Sequence, residues 1–232
     1  QTGTGKTAAF LIPVIEKTLA DRNRQTLILA PTRELAIQIN DELRKLTIGM
    51  QIFSTVCVGG MNIHPQIRNL QRINHFIIGT PGRVMDLQDR GYFKPEKITT
   101  VVLDEADRML DMGFIHDMRK IILDTPNSRE SLFFSATMTP AAKKMADEFL
   151  RDPVMVSVKK KDVTNSIEQD VVPHGHHEKF ETLLGLLEGK EFARVIIFGS
   201  MKHSVEKLSK ELSRSGIPSE SIHGNKTHPQ RQ

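Results

Sequence analysis

The run Val101-Val102-Leu103-Asp104-Glu105-Ala106-Asp107 decides the fold of this chain. Three apolar residues that favour β-structure lead directly into two adjacent carboxylates. Such a run is typical of a buried parallel strand that ends at the carboxyl edge of a sheet. Open α/β sheets bind their ligands at that edge. A carboxylate there can hold Mg²⁺, and a second carboxylate beside it can orient a water molecule.

The start of the chain supplies the phosphate site that such carboxylates need. It reads Gln1-Thr2-Gly3-Thr4-Gly5-Lys6-Thr7, and Gly-x-Gly-Lys-Thr is the second half of a P-loop. Glycines let backbone N–H groups turn toward phosphate oxygens. In such a loop the lysine reaches the β- and γ-phosphates, and the threonine hydroxyl joins Mg²⁺. The predicted phosphate-binding residues are Gly3, Thr4, Gly5, Lys6 and Thr7.

Composition places the chain among ordinary globular proteins. Its 232 residues are enough for one large or two modest domains, and 38% are hydrophobic and 26% charged. The net charge of +4 is compatible with a polyanionic partner. A single cysteine excludes an internal disulfide framework. Because no apolar run approaches the ~20 residues of a membrane span, we expect a cytoplasmic protein without a membrane partner.

Predicted helices alternate with short β-branched strands through the first two thirds of the chain. This alternation favours βαβ units and a parallel sheet flanked by helices. Strands are predicted at residues 26–30, 52–58, 75–79, 101–104, 131–135 and 154–158. Helices are predicted at residues 6–20, 31–46, 63–72, 81–90, 111–123 and 140–150.

The composition changes after residue 158. Residues 159–166 carry three consecutive lysines and little apolar content, which is typical of a linker between domains. The α/β alternation then resumes. Strands are predicted at residues 169–172, 194–198 and 219–223, and helices at residues 178–187 and 202–215. We expect this stretch to be the first part of a second α/β domain.

The ordered motifs of the chain resemble those of the DEAD-box family of ATP-dependent RNA helicases. The motifs are Gly3-Thr4-Gly5-Lys6-Thr7, Pro31-Thr32-Arg33-Glu34-Leu35-Ala36, Gly59-Gly60, Thr80-Pro81-Gly82-Arg83, Asp104-Glu105-Ala106-Asp107 and Ser135-Ala136-Thr137. Each is common alone, but together and in this order they are specific, and they extend the resemblance over essentially the whole chain. The segments at residues 108–114 and 222–226 look like the bacterial RhlE-type subgroup.

The resemblance implies a fold and a nucleotide site. It implies a RecA-like ATP-binding domain over residues 1–158, a linker at 159–166 and a partial second RecA-like domain over 167–232. The implied cofactors are ATP and Mg²⁺. The implied catalytic residues are Lys6, Asp104 and Glu105, with Thr7 and Asp104 holding Mg²⁺, partly through water, and Glu105 orienting the attacking water. The alternative for the two carboxylates is an acidic helix N-terminus, which the P-loop disfavours.

RNA is the implied partner, bound through its sugar-phosphate backbone. The implied contact residues are Thr32, Arg33, Gly59, Gly60, Thr80, Pro81, Gly82 and Arg83. Hydroxyl, guanidinium and backbone N–H groups bind phosphates without reading bases. A chain with no Trp and one Tyr offers little aromatic stacking. The simpler alternative is that the two threonines are helix caps and the two arginines pair with acidic side chains.

The family architecture also implies a link between the nucleotide site and RNA unwinding. Ser135 and Thr137 are expected beside Asp107, where hydroxyls bonded to a carboxylate could form a two-state element. Ribosomal or mRNA-decay complexes are expected as further partners. Two other function classes remain open. One is a nucleotide-gated RNA clamp that holds RNA without unwinding it, and the other is a P-loop DNA translocase. Competition between RNA and DNA oligonucleotides would distinguish the translocase, because only RNA carries the 2′-OH.

Residues 1–232 alone are expected to hydrolyse ATP poorly, whereas the intact parent protein is expected to unwind RNA with ATP. Relative to the family, the adenine-reading segment would lie before Gln1, and the arginine finger would lie after Gln232. An arginine finger contributes about 10³–10⁵ in turnover. RNA-stimulated ATP hydrolysis by purified 1–232, measured beside the parent, tests this expectation. Equal turnover by the two proteins would contradict it.

Overall fold

The computed structural model describes residues 5–157, 168–175, 178–189, 192, 194–226 and 230. The chain divides into two compact units, Gln1–Val156 and Ser157–Gln232. The predicted linker at residues 159–166 lies outside the described residues, and the predicted domain boundaries stay a prediction. Within the described part of the chain, no helix combines the length and the apolar character needed to cross a membrane.

The first unit is built on one parallel sheet of five strands, which confirms the predicted fold class. The strands are β1 (Thr26–Leu29), β2 (Ser54–Cys57), β3 (Phe76–Gly79), β4 (Thr100–Leu103) and β5 (Glu130–Phe133), in the order β2-β3-β1-β4-β5. Leu29, the last residue of β1, lies opposite the last residues of both of its neighbours. The outer strands β2 and β5 end opposite Gly79 of β3 and Leu103 of β4, the last residues of their neighbours. All five strands therefore end level, at one edge.

Helices cover both faces of this sheet, so β1, β3 and β4 are buried along their whole length, whereas β2 is buried at alternate residues and β5 is partly exposed. The helices are α1 (Lys6–Ala20), α2 (Arg33–Leu46), α3 (Ile63–Leu70), α4 (Pro81–Asp89), α5 (Ala106–Asp111), α6 (Ile115–Leu123) and α7 (Pro140–Phe149), with a 3₁₀ turn at Pro95–Lys97. Successive side chains of a strand point to opposite faces. Ile28 accordingly packs in the core with α1 and α2, whereas Leu27 and Leu29 pack in the core with α4 to α7.

One predicted helix is shorter than expected, and the short helix α5 before it was not predicted. The helix expected at residues 111–123 begins only at Ile115, because α5 ends at Asp111 in a glycine cap. Gly113 has φ +80° and donates to Leu110 O at 2.9 Å, while Phe114 N–H donates to Met109 O at 3.0 Å. These two bonds form a Schellman motif, which terminates a helix where glycine adopts the left-handed conformation.

Four predicted strands are wrong for the described residues. The segment at 154–157 and the three segments predicted in the second unit carry no strand there. A strand exists only where a neighbour completes its hydrogen-bond ladder, and β-branched composition cannot supply that neighbour. Ile196 and Phe198 are instead 81% and 93% exposed. The described elements of the second unit are α8 (Lys179–Leu187) and α9 (Lys202–Arg214), and its RecA-like fold stays a prediction.

Replacing Gly79 by alanine should destabilise the first unit. A Cβ at this last residue of β3 would lie 2.4 Å from Cys57 O and 2.7 Å from Val84 Cγ2. Since the closer atom belongs to the paired strand's backbone, the sheet must shift, at a cost of about 1–3 kcal/mol. Urea unfolding measures the loss. Gly59→Ala is the matched control, because a Cβ there meets nothing within 4 Å. Equal unfolding free energies for the two variants would contradict this expectation.

Candidate nucleotide and RNA site

The level carboxyl edge of the sheet gathers the separate sequence motifs. The residue or short loop after each strand contains a predicted site residue: Thr32 after β1, Gly59 after β2, Thr80 after β3, Asp104 after β4 and Ser135 after β5. Motifs that are far apart in the sequence thus lie along one edge of the molecule. Among the predicted residues, Gly3 and Thr4 lie outside the described residues, and the others are described.

The candidate phosphate site at this edge is the N-terminus of α1. Gly5 precedes the helix with φ +76° and ψ 9°, a left-handed conformation that glycine adopts without strain. The first turn of α1 contains no acidic side chain. The N–H groups of a first helical turn have no acceptors within the helix, and the helix dipole favours anions there. Lys6 and Thr7, both partly buried in this turn, are placed as a phosphate site requires.

Asp104 is the most buried carboxylate of the edge, with 3% of its surface exposed. Its Oδ1 accepts a hydrogen bond from the Glu105 N–H at 3.0 Å. Burial raises the pKa of Asp104, and the positive charge of Lys6 is the largest influence that lowers it. The ammonium of Lys6 therefore lies close enough to act on this carboxyl. The structure brings the lysine of the P-loop and the first carboxylate of the strand end to one place.

The oxygen donors at this place suit Mg²⁺. A carboxylate from Asp104 and a hydroxyl from Thr7 are ligands that Mg²⁺ prefers, and the ion usually keeps waters and substrate phosphates as its other ligands. Among the described residues, no group of three or more His, Cys, Asp or Glu side chains is arranged to hold a metal. A carboxylate and a hydroxyl therefore fit an ion that takes its other ligands from water and a nucleotide.

Glu105 sits in a strained backbone conformation. It precedes α5 with φ 52° and ψ 49°, which costs a residue other than glycine about 1–3 kcal/mol. The following Ala106 N–H donates to Phe134 O at 3.0 Å, so the turn is fixed to the end of β5. The Glu105 side chain accepts from Arg108 Nη1 at 3.0 Å. Sequence reasoning assigned no role to Arg108, although its spacing of three residues in a helix is a recognisable ion-pair signal.

Three loops form the candidate RNA surface. Gly60 has φ +71°, and a Cβ on it would lie only 2.0 Å from Arg33 Nη1, so the Arg33 guanidinium lies across the glycine backbone. Arg83 Nη1 donates to Met61 O at 3.3 Å in the same loop. The structure therefore joins Arg33, Gly60 and Arg83 in one cluster. Pro81 and Gly82 form the first turn of α4 beside it.

The simpler alternatives for these residues are partly realised. Thr32 does cap α2, since its hydroxyl accepts from the Leu35 N–H at 3.2 Å. Thr80 occupies the corresponding position before α4 but makes no side-chain cap bond. Arg83 Nε lies 3.8 Å from Asp86 Oδ2. A cap does not exclude a phosphate contact, because the Thr32 hydroxyl can accept from the backbone while its own hydrogen is donated elsewhere.

Sequence reasoning missed Gln66, which holds the glycine loop from inside. Its side chain is buried, accepts from the Val58 N–H at 3.1 Å and donates to Val58 O at 3.1 Å. It also donates to Asn62 O at 3.2 Å. The available signal was a polar residue among the apolar positions Ile63, Ile67 and Leu70 of a short helix.

Asp107, Ser135 and Thr137 meet as predicted. The N–H and the hydroxyl of Thr137 donate to Asp107 Oδ2 at 3.0 and 2.7 Å, and Ser135 Oγ donates to Thr137 O at 2.6 Å. Burial is the largest single influence and acts to raise the pKa of Asp107, but the hydrogen bonds from Thr137 and smaller contributions from Ser135 and Arg108 together outweigh it, so the pKa lies below its ordinary value. Asp107 Oδ1 is buried without a hydrogen-bond partner, which leaves this carboxylate only half satisfied.

Thr137→Val should destabilise the protein in a pH-dependent way. Because the pKa of Asp107 is lowered by folding, its ionisation stabilises the fold above its ordinary pKa, and this stabilisation is lost as pH falls through the lowered value. Removing the hydroxyl should cost about 0.5–1 kcal/mol at pH 7. The difference in unfolding free energy between the variant and the wild type, which is the deficit, should narrow below about pH 4. Urea unfolding at pH 7 and pH 3 measures both values.

Thr125→Val is the matched control for this experiment. The Thr125 hydroxyl donates to the backbone oxygen of Ile122 at 2.6 Å, with no carboxylate involved, so its deficit should not follow the titration of an acid. A Thr137→Val deficit of the same size at both pH values would contradict the proposed link to Asp107.

Comparison with known proteins identifies the family. Residues 1–145 match the model of the DEAD/DEAH box helicase family. The chain is 42% identical over 233 aligned positions to the DEAD-box ATP-dependent RNA helicase CshA of Geobacillus kaustophilus, covering 100% of this chain and 50% of the relative. It is also 42% identical to the ATP-dependent RNA helicase CshA of Listeria monocytogenes, covering 100% of this chain and 45% of that protein. The chain thus spans about half the length of these relatives.

A solved structure gives the same result. The crystal structure of a DEAD box protein from the hyperthermophile Methanococcus jannaschii superposes with a TM-score of 0.66 and 37% identity, covering 100% of this chain and 62% of that chain. The RhlE-type assignment is not confirmed by these comparisons and stays a prediction. The family model matches more than half of the length of this chain, and the ordered motifs lie together at one sheet edge. The chain therefore belongs to the DEAD/DEAH box helicase family.

Proposed function

We propose that the protein containing this chain is an RNA-stimulated ATPase that unwinds short RNA duplexes. The observation that carries the proposal is a juxtaposition at one edge of the sheet. The start of α1 and the Asp104–Glu105 pair lie along the same edge as the three loops that contain Thr32, Gly59 and Thr80. A nucleotide site and a polyanion site on one rigid sheet can influence each other through the loops between them.

The nucleotide site is proposed to bind ATP with Mg²⁺. Lys6 neutralises phosphate charge, while Thr7 and Asp104 are the residues that would hold the ion, Asp104 partly through water. A bound ion would neutralise charge that develops on the phosphates. Glu105 is proposed to orient the attacking water. The phosphate-binding N–H groups at Gly5 and in the first turn of α1 complete the site.

The RNA site is proposed to bind the sugar-phosphate backbone without sequence preference. Guanidinium groups, hydroxyls and glycine N–H groups offer contacts to phosphates, and they carry no pattern that distinguishes bases. The Asp107–Thr137 pair connects the strand ends of β4 and β5, so it is proposed to transmit the state of the nucleotide to bound RNA. For ATP and RNA to drive a closed state, both must bind that state more tightly than the open one.

The partner complexes and the location of the protein in the cell are also proposed. Ribosomal or mRNA-decay complexes are proposed as partners, because a protein that grips RNA backbones without reading sequence needs a partner to choose its target. A cytoplasmic location is proposed with them. Co-purification of ribosomal subunits or decay enzymes with the whole protein that contains residues 1–232 (the full chain), together with cell fractionation, tests both statements.

A second candidate function is a nucleotide-gated clamp that holds RNA without unwinding it. The observation that favours it is the 3.0 Å ion pair between Glu105 and Arg108. This pair must open before the carboxylate can orient the attacking water, which would slow hydrolysis. Slow hydrolysis would prolong the RNA-bound state. Unwinding of a short RNA duplex by the full chain distinguishes the two functions, since a clamp would bind the duplex ends without separating the strands.

Substitutions at the nucleotide site should separate binding from hydrolysis. In the full chain, Lys6→Ala should abolish ATP binding because the phosphates lose their cation. Glu105→Gln should keep ATP and RNA binding but lower RNA-stimulated kcat by about 10²–10⁴. Glu130→Gln is the control, because Glu130 begins β5 at the opposite edge and pairs with Lys17. The proposal fails if Lys6→Ala binds ATP as tightly as the wild type, or if Glu105→Gln hydrolyses it at the same rate.

A further inference from the structure

Gln66 is the only buried residue of α3, with less than a tenth of its surface exposed, and it is polar. It is 6% exposed, while its helix neighbours Pro65 and Arg68 are exposed. Burying an amide without partners costs about 1–3 kcal/mol, so such a side chain must be satisfied by specific hydrogen bonds. All of its observed bonds go to the backbone of one loop, between Val58 and Asn62.

The amide of Gln66 acts on Val58 as a neighbouring strand would. A primary amide presents the same donor and acceptor as a peptide group, and Gln66 uses both of them on the N–H and the C=O of Val58, each at 3.1 Å. This residue directly follows β2, which is an edge strand of the sheet. The side chain therefore extends the hydrogen-bonded part of β2 by one residue, up to the start of the glycine pair.

The same amide also fixes the far side of the glycine pair. Gln66 Nε2 donates to Asn62 O at 3.2 Å, and the intervening Met61 O accepts from Arg83 at 3.3 Å. Gly59 and Gly60 are thus held on both sides while they lack side chains of their own. Because glycine has more backbone freedom than any other residue, an RNA-binding surface made of glycine backbone needs an external restraint.

We propose that Gln66 is a positioning residue for RNA binding. It sets the peptide planes of Gly59 and Gly60, and so the direction of the backbone groups that meet an RNA phosphate or sugar. Gln66 does not touch RNA, because it is buried beneath the loop. The role rests on the proposed function, since it requires that the glycine loop binds RNA.

Gln66→Met in the full chain tests this role. Methionine keeps the length and volume of the side chain but removes the donor and the acceptor. We expect about five- to tenfold weaker binding of a single-stranded RNA oligonucleotide in the presence of ATP, with the KM for ATP unchanged. The loss should appear as a higher RNA concentration for half-maximal ATPase stimulation, while kcat at saturating RNA stays close to that of the wild type.

Asn74→Leu is the matched control for lost stability. Asn74 is a buried amide in the same unit that donates to the backbone oxygens of Asn69 and Arg72 and accepts from the Thr55 hydroxyl. It lies just before β3, at the opposite edge of the sheet from the glycine loop. Both variants should lower the melting temperature, and only Gln66→Met should weaken RNA binding.

Gln66→Glu adds a readout that a purely structural role would not move. A protonated carboxyl group offers one donor and one acceptor, as the amide does, whereas an ionised one would place an acceptor against Val58 O and Asn62 O. Burial raises the pKa of a carboxyl group. The RNA affinity of this variant relative to the wild type should therefore be near normal at low pH and fall as pH rises through that raised pKa.

The outcomes separate the two levels of the proposal. If the wild-type full chain shows no ATP-dependent RNA binding, the proposed function fails and the role of Gln66 fails with it. If the wild type binds RNA and Gln66→Met binds it equally tightly, only the positioning role is overturned. Equal losses of RNA affinity in Gln66→Met and Asn74→Leu would also overturn it, because the effect would then be one of general stability.

Discussion

Five parallel strands that end level with one another are the constraint on which the proposed chemistry depends. Parallel pairing carries every strand's carboxyl end to the same edge, and the shared register of Leu29 with Gly79 and Leu103 keeps those ends aligned. Each following loop then begins at the same height. A slip of one residue in any strand would turn its side chains to the other face and would withdraw its motif from the edge.

The edge carries electrostatic and conformational costs that a site of purely structural importance would avoid. Asp104 is buried with a raised pKa, Glu105 adopts a left-handed backbone, and Asp107 keeps one buried oxygen without a partner. Strained and half-satisfied groups of this kind are concentrated at functional sites. The core behind them is apolar on both faces of the sheet, and it supplies the stability that offsets these costs.

The candidate RNA surface shows how a protein can present backbone in place of side chains. Arg33 lies directly over Gly60, an approach that any Cβ at this position would block. Exposed backbone groups can meet a sugar-phosphate chain of any sequence, but glycines do not hold their own conformation. The restraint comes from a buried amide on α3 and from Arg83, both outside the glycine pair. In the proposed function, recognition without sequence preference therefore depends in part on Gln66, a buried residue that does not contact the nucleic acid.

The sequence by itself determined the five strands of the first unit and most of the candidate site, although it also predicted a strand at residues 154–158 that does not form at 154–157. Short apolar runs followed by polar motifs identify buried parallel strands, because only such strands are apolar on both faces. Lys6 and Asp104 could be paired in advance, because a P-loop lysine and a carboxylate at a strand end both serve a nucleotide that binds with Mg²⁺. The meeting of Asp107 with Thr137 was predicted through the family resemblance.

Only the tertiary structure decided the remaining features. The break between α5 and α6 depends on Gly113 adopting a left-handed cap, and the predicted strands around Val171 and Ile196 lack the neighbours that a ladder requires among the described residues. The pairing of Gln66 with Val58 and the position of Arg33 across Gly60 join residues from different elements. Local propensity is a property of neighbouring residues, whereas hydrogen-bond ladders and buried amide partners exist only once distant segments have been packed together.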